Sequence, residues 1–295
     1  RKLRSKSMAY VILFFAVFFL STSAIFVKIA AAPAGITAFY RLLITTLALI
    51  PFLILKEENR REIGKLNVNQ WGMGVLSGFL LSVHYVLWFE SLNYTSVASS
   101  TVIVCLQPLF ALIGGYFIFK EKYSKLALMG CVIAILGSVV IGWGDLQISN
   151  EALLGDIMAL VAAAIIAGYF MVGQHIRTTL SAIPYSVISF GSGSLFLAIY
   201  SLMRNENFID YPLKTWGAFL GLAFMATILG QFIFTWLLKW LSASIISMSI
   251  LGEAVGTCIL SYFILSEKIS LQQGTGIVII LVGLGIFLSQ SSKRK

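Results

Sequence analysis

Residues 251–260 read LGEAVGTCIL, which sets a carboxylate, Glu253, midway along an apolar run long enough to cross a bilayer. An acidic side chain at that depth costs about 2.5 to 3.5 kcal/mol on insertion scales, so it faces protein or water rather than lipid. Such a group is suited to holding a proton or a cationic group. Displacing the sequence by 146 residues lays Glu253 over Gln107 of CLQPLFALIG, which also falls midway along an apolar run. Polar side chains at matching depths in two copies of one unit are what a binding site between the copies requires. Helical spacing collects Ser242, Ser249, Gly256, Thr257 and Ser261 around Glu253, and Ser96, Ser100, Ala111 and Gly114 around Gln107. Small residues in both stripes suit close helix packing equally well.

A second cluster lies in HYVLWFES. Ser77, His84, Trp88 and Ser91 follow one another at intervals of seven, four and three, so an imidazole and an indole share a helical face with Tyr85 beside them. Imidazole can exchange a proton near neutral pH, and an aromatic wall can hold rings or organic cations. Thr227, Gln231 and Thr235, four residues apart, form a matching polar face further along. The other charges have blander readings. Glu90 points away from His84 and reaches the interface, Lys28 and Arg41 snorkel outward from positions near run ends, Asp156 complements a helix N-terminus, and His175 is solvated. Cys105, Cys131 and Cys258 lie within apolar runs without metal-ligand spacing and are expected to pack as small hydrophobes, with no disulfide, metal or cofactor.

These residues need a scaffold, and the composition names its solvent. Of 295 residues, 59% are hydrophobic and 11% charged, with mean hydropathy +0.93. A soluble core could not hide that much apolar surface, so the chain is an integral membrane protein. Ten apolar runs, 8–30, 35–55, 71–92, 97–119, 125–143, 153–174, 184–203, 216–238, 243–265 and 272–290, each have roughly the 20 residues that a membrane helix needs. They lack the alternation of barrel strands, so the expected fold is all-α and polytopic, with ten transmembrane helices. With both termini inside, cytoplasmic segments hold 16 of the 21 Lys and Arg residues, which fits the positive-inside rule. The net charge of +9 then reflects topology and anionic-lipid contact rather than nucleic-acid binding.

The same 146-residue offset pairs YFIFKEKYS (116–124) with YFILSEKIS (262–270), Gly130 with Gly276, and Gly137 with Gly283. Residues 1–149 and 150–295 therefore read as two five-helix units. Five is odd, so the second copy enters the membrane from the opposite side, giving an inverted repeat, the architecture of alternating-access transporters.

At this point the chain resembles a known family. APAGITAFYRL (32–42), HYVLWFESLNYTSVASS (84–100), QPLF with the KEK hairpin (107–122), GDIMAL (155–160), AGYFMVGQHIR (167–177) and LGEAVGTCILSYFILSEKIS (251–270) together are similar to the EamA-like branch of the drug/metabolite transporter superfamily. The resemblance covers essentially the whole chain. It implies a basket of ten helices around a central cavity lined by helices one, three, four, six, eight and nine, with the fifth and tenth at the edge. The cavity residues it implies are Ser21, Ser23, His84, Trp88, Gln107, Tyr169, Gln231 and Glu253. Two positions depart from the family pattern: Ala254 stands where a proline often follows the acidic residue, and Gln231 and Thr235 stand where His and Asn are common.

The expected function is secondary transport of a small organic solute such as a metabolite, amino acid, amine or drug-like compound. Export by alternating access is expected from the cytoplasmic membrane of a bacterium, with Glu253 and His84 coupling protons. A channel-like facilitator and a flippase for lipid-linked substrates stay open as alternatives. A primary pump is nearly excluded, since the sequence shows no GxxxxGK[ST] loop, and an enzyme is disfavoured by the scatter of polar groups.

Overall fold

The computed structural model describes residues 2–91, 93–95, 100, 103–143, 149–264, 266 and 268–292. Ser96 and Glu267, together with the side chain of Ser261, lie outside the described residues. Among those described, the chain is helical throughout. Eight helices are long and apolar enough to cross a membrane, and a shorter one runs over Lys125–Val140. The fourth span is described mainly in its second half, Gln107–Phe117.

The second, third, sixth and seventh spans are single helices, Ala34–Leu55, Val68–Ser91, Asn150–Ile176 and Ala182–Met203. The fifth and tenth are Lys125–Gly142 and Leu271–Ser292. Serine starts three spans: Ser124, Ser149 and Ser242 accept hydrogen bonds from Ala127 N, Ala152 N and Ile245 N, satisfying first-turn amides that would otherwise lack partners. Large apolar side chains such as Phe14, Leu136, Ile157 and Leu195 face outward, as lipid-facing helices require.

Packing follows a pseudo-two-fold relation. The third span lies against the sixth and the eighth against the first; the fourth meets the sixth and the ninth meets the first. The second and seventh, the fourth and ninth, and the fifth and tenth spans each pack against their own repeat mate. Glycines fix the direction of the last pair. A Cβ on Gly130 would stand 2.8 Å from Gly283 O, and one on Gly137 would stand 2.9 Å from Gly276 O. Gly130 is the mate of Gly276 and Gly137 of Gly283, so the contacts cross over. Crossed contacts place the two helices antiparallel, as opposite entry of the two copies demands.

Among the described residues, four spans are interrupted. The fourth turns at residues 105–106 and the ninth at Leu251, between Ala243–Ile250 and Gly252–Ile264. These breaks occupy the same place in the repeat, and each opens the helical segment that carries Gln107 or Glu253. The ninth span breaks without a proline, since residues 251–254 read LGEA. The first span divides at residues 21–22 into Lys2–Leu20 and Ser23–Ala30, where the Ser21 and Thr22 hydroxyls donate to Val17 O and Phe19 O. Thr257 Oγ1 donates to Ser21 O at 3.2 Å, recovering a carbonyl that the break frees. The eighth span runs from Leu213–Gly221 through a π-helix over Leu222–Phe232 into Ile233–Leu237, and Thr227 Oγ1 bonds the carbonyl five residues back. These interruptions cluster at the depth of the central cavity, where irregular backbone is lined by protein or water rather than lipid.

Candidate functional site: a charged cavity halfway through the helices

The two broken spans bring Glu253 and Gln107 to one cavity of about 40 Å³, room for about two or three water molecules. Ser23, His84, Trp88 and Gln231 join them in its wall. Glu253 sits in the first turn of its half-helix, where the N-terminal dipole favours negative charge.

The third span supplies the aromatic wall. The His84 and Trp88 rings stack with centroids 6.1 Å apart and 22° between planes. Nδ1 of His84 lies 2.9 Å from Ala162 O; a carbonyl can only accept, so Nδ1 carries a proton and Nε2 is the ring nitrogen left for the cavity. Among the described residues, Trp88 Nε1, Tyr85 OH, Gln107 Nε2 and Gln231 Nε2 are buried without hydrogen-bond partners, and all four residues line the cavity. Unpaired buried polar groups are rare in folded proteins, and these four belong to residues of one wall.

Arg41 is the residue that sequence reading misplaced. It does not snorkel outward: it is 1% exposed and lines the cavity, adding the second span to the helices around it. Its Nη1 donates to Ser23 Oγ and its Nε to Thr227 Oγ1, both at 2.8 Å, and the guanidinium lies 4.7 Å from the Tyr85 ring centroid. Nη2 makes no hydrogen bond among the described residues. Lys28, by contrast, is exposed as expected.

Ser21 and Tyr169 lie outside the cavity wall. Ser21 is fully buried against Gly256, where an added Cβ would stand 2.2 Å from its hydroxyl oxygen. Tyr169 packs behind the cavity with its hydroxyl 3.5 Å from Thr235 Oγ1. The cysteines divide: Cys105 lines the cavity, while Cys131 is buried among apolar neighbours. Among the described residues, no group of His, Cys, Asp and Glu has the makings of a metal site.

The two faces of the molecule differ. On one, a vestibule of about 400 Å³ is lined by Val27, Thr37, Phe89, Glu90, Arg204 and Glu206, among others. Glu90 accepts from Asn93 and Tyr200 rather than lying free at the interface. Val27, Thr37 and Phe89 each stand one turn from a cavity residue on the same helix, namely Ser23, Arg41 and Tyr85, so the vestibule floor lies about 5 Å above the cavity. On the opposite face, which carries the KEK turn, side chains tie the spans together. Gln174 Nε2 donates to Glu121 Oε1, Ser244 Oγ donates to Glu121 Oε2, and Gln174 Oε1 accepts from Ala243 N, at 3.2, 3.1 and 2.7 Å; Tyr123 OH also bonds Glu121. These contacts join the fourth, sixth and ninth spans. Nearby, Arg177 donates to the carbonyls of Thr235, Trp236 and Leu180, capping the eighth span, and burial pulls its guanidinium below the usual arginine range.

Comparison with known proteins matches both halves of the chain, residues 7–143 and 153–289, to the EamA-like transporter family. The chain belongs to the EamA-like transporter family. The starts and the ends of the two matches are each 146 residues apart, the offset found within the sequence, and two such domains in one all-helical chain make the inverted-repeat membrane fold. Similar proteins include an uncharacterized transporter of Clostridium kluyveri, 24% identical over 97% of this chain and 94% of its own length. Another is the S-adenosylmethionine uptake transporter of Rickettsia prowazekii, 28% identical over 87% and 83%. A solved crystal structure superimposes with a TM-score of 0.81 at 17% identity, covering 98% of this chain and 99% of the other, and shares the fold. The EamA-like chain is thus an integral membrane protein of a small-molecule transporter family.

Proposed function

We propose that the chain is a secondary transporter that exports a small organic solute by alternating access, using the central cavity as its substrate site. The observation that carries this reading is a charged cavity halfway through the helices, one turn below an open vestibule, with the Glu121 network tying the fourth, sixth and ninth spans together on the KEK side. A channel needs a continuous passage in its conducting state, and enzyme chemistry needs a nucleophile or metal group; this arrangement supports neither as well as it supports a site exposed to one side at a time.

Glu253 is the proposed coupling group. One carboxylate cannot hold a proton and the cationic group of a solute together, so the two compete and the protein exchanges one for the other. Where the proton gradient points into the cell, such exchange drives the solute out. His84, through Nε2, is the second proton-accepting group facing the cavity. The positive-inside bias supports both termini in the cytoplasm of a bacterium, which turns the vestibule outward. The Rickettsia relative's name supports a small organic solute.

The test is flux in proteoliposomes. Solutes that raise the thermal stability of the purified protein are first selected from a metabolite library, since a ligand of the folded state stabilises it. Glu253→Gln should then abolish pH-dependent exchange while leaving expression and helix content intact. Undiminished pH-dependent flux in that variant would remove Glu253 from the mechanism.

A further inference from the structure

Below the central cavity a row of buried hydroxyls leads toward the KEK face, and the transport reading gives it no task. It starts behind Gln231 of the cavity wall, where Tyr169 OH stands 3.5 Å from Thr235 Oγ1 and faces the side chains of Gln231 and Ser189. Ser77 Oγ donates to Ser189 Oγ at 2.8 Å. Both serines stand close to Tyr185 OH, yet no group among the described residues is placed to bond that hydroxyl. Tyr169, Ser77, Ser189 and Tyr185 are each at most 1% exposed. Ser77 precedes His84 by seven residues on one helix, so the row reaches about 10 Å below the cavity.

The lower end meets water through charged groups. Tyr185 interacts with Arg177, and Arg177 with Glu62 of the short helix Glu57–Gly64 between the second and third spans. Glu62 accepts from Ser181 N at 2.6 Å and is partly exposed, so its carboxylate can exchange protons with the aqueous side. Hydroxyls buried in an apolar bundle cost free energy unless they are bonded, so the row needs a reason. The repeat does not supply one. At the 146-residue offset Tyr185 falls on Phe39 and Ser189 on Leu43, so the same places on the vestibule side are apolar. There the vestibule already brings solvent to within about one helical turn of the cavity.

We infer that this row is a proton path between the cavity and the water on the KEK side, separate from the route of the solute. A hydroxyl has one proton to give and lone pairs to accept another, so each can take a proton on one side, release its own on the other and end unchanged. The proton leaves Glu253 or His84, crosses cavity water to Tyr169, passes along Ser189 and Ser77 to Tyr185, and reaches Glu62, which gives it to bulk water. Arg177 takes no part in the transfer, since a guanidinium has no acceptor, and Glu62 offsets its charge. The row is incomplete while the vestibule is open. Tyr185 OH is unpaired and Tyr169 OH is at the limit of bonding distance, which keeps protons from running straight through. Turning Tyr185 OH onto Ser189 completes it. The Glu121 network ties a different set of spans, the fourth, sixth and ninth, so Glu253 can release its proton without those spans parting. This inference rests on the proposed proton exchange at Glu253 and adds the route.

The test is flux of the full chain in proteoliposomes, with the solute that the stability screen selects. Counterflow of solute against solute needs no net proton movement, whereas uphill flux driven by a pH gradient does. Tyr185→Phe and Ser189→Ala should each slow gradient-driven flux by about tenfold and leave counterflow unchanged. A merely structural hydroxyl would slow both alike. Ser189→Ala keeps the test available if Tyr185→Phe does not fold. If the screen selects no solute, proton uptake by dye-loaded proteoliposomes under a potassium diffusion potential is read instead, and both variants should slow it by the same factor. Undiminished gradient-driven flux or proton uptake in both variants would overturn the path and leave the transporter and Glu253 standing. Failure of the unaltered chain to move protons, with or without solute, would overturn the path and the proton exchange together.

Discussion

Gly283 of the tenth span lies so close to Ala134 of the fifth that a Cβ on the glycine would stand 2.4 Å from the alanine's backbone nitrogen. The neighbour is main chain, so it cannot swing aside. Gly283→Val should therefore destabilise the protein by about 1 to 3 kcal/mol through overpacking. Gly285, with no neighbour within 4 Å of its added Cβ, gives the control: Gly285→Ala should leave the melting temperature unchanged or slightly raised. Thermal unfolding in detergent checks both.

Gly256 and Ser21 make a second close approach, at the break in the first span. Gly256→Ala should lower the melting temperature, and adding Ser21→Ala should recover part of the loss, because the atom met at 2.2 Å is the serine oxygen. Strictly additive losses in the double variant would show that the two residues do not share this contact.

Thr227 and Ser23 hold the Arg41 guanidinium in place. Thr227→Val should cost about 1.5 to 3 kcal/mol, the range for a hydrogen bond to a charged group. Ser23→Ala should cost a similar amount, and the pair should be non-additive because both act on one side chain. A double-mutant cycle on stability and on ligand affinity measures the coupling.

Cys105 is a natural reporter of access, since its side chain lines the cavity. With Cys131 and Cys258 replaced by Ala, a membrane-impermeant thiol reagent should label Cys105 faster from the vestibule side than from the KEK side. Glu121→Gln, which weakens the bonds from Gln174, Ser244 and Tyr123, should speed labelling from the KEK side. Equal labelling from both faces before and after the change would mean that the Glu121 network is not a barrier.

Much of this arrangement was legible in the amino-acid sequence. The repeat offset put Gln107 and Glu253 at one depth, and helical spacing put His84 and Trp88 on one face, because both signals are local and periodic. Arg41 escaped because a long cationic side chain near a span end ordinarily reaches for water. Its actual partner, Thr227, is 186 residues away. Ser21 and Tyr169 were expected in the wall and are packed behind it. In the first span, the chain turns at residues 21–22, which a uniform helical period does not anticipate. The π-helix around Gln231 and the break at Leu251 likewise have no marker in residue type, since neither contains a proline. What was missed depends on contacts between distant segments.

The scaffold is two-fold in shape but not in charge. Arg41 has Val187 as its repeat mate, and Glu253 has Gln107, so the cationic and anionic poles each occur once. The central space therefore carries an electric dipole that the symmetry of the backbone does not cancel. A polar guest has one favoured heading in such a field, and must leave against it or turn over before departure. In the proposed transport cycle, passage in one direction would then not be the mirror image of passage in the other, even though the two halves are copies.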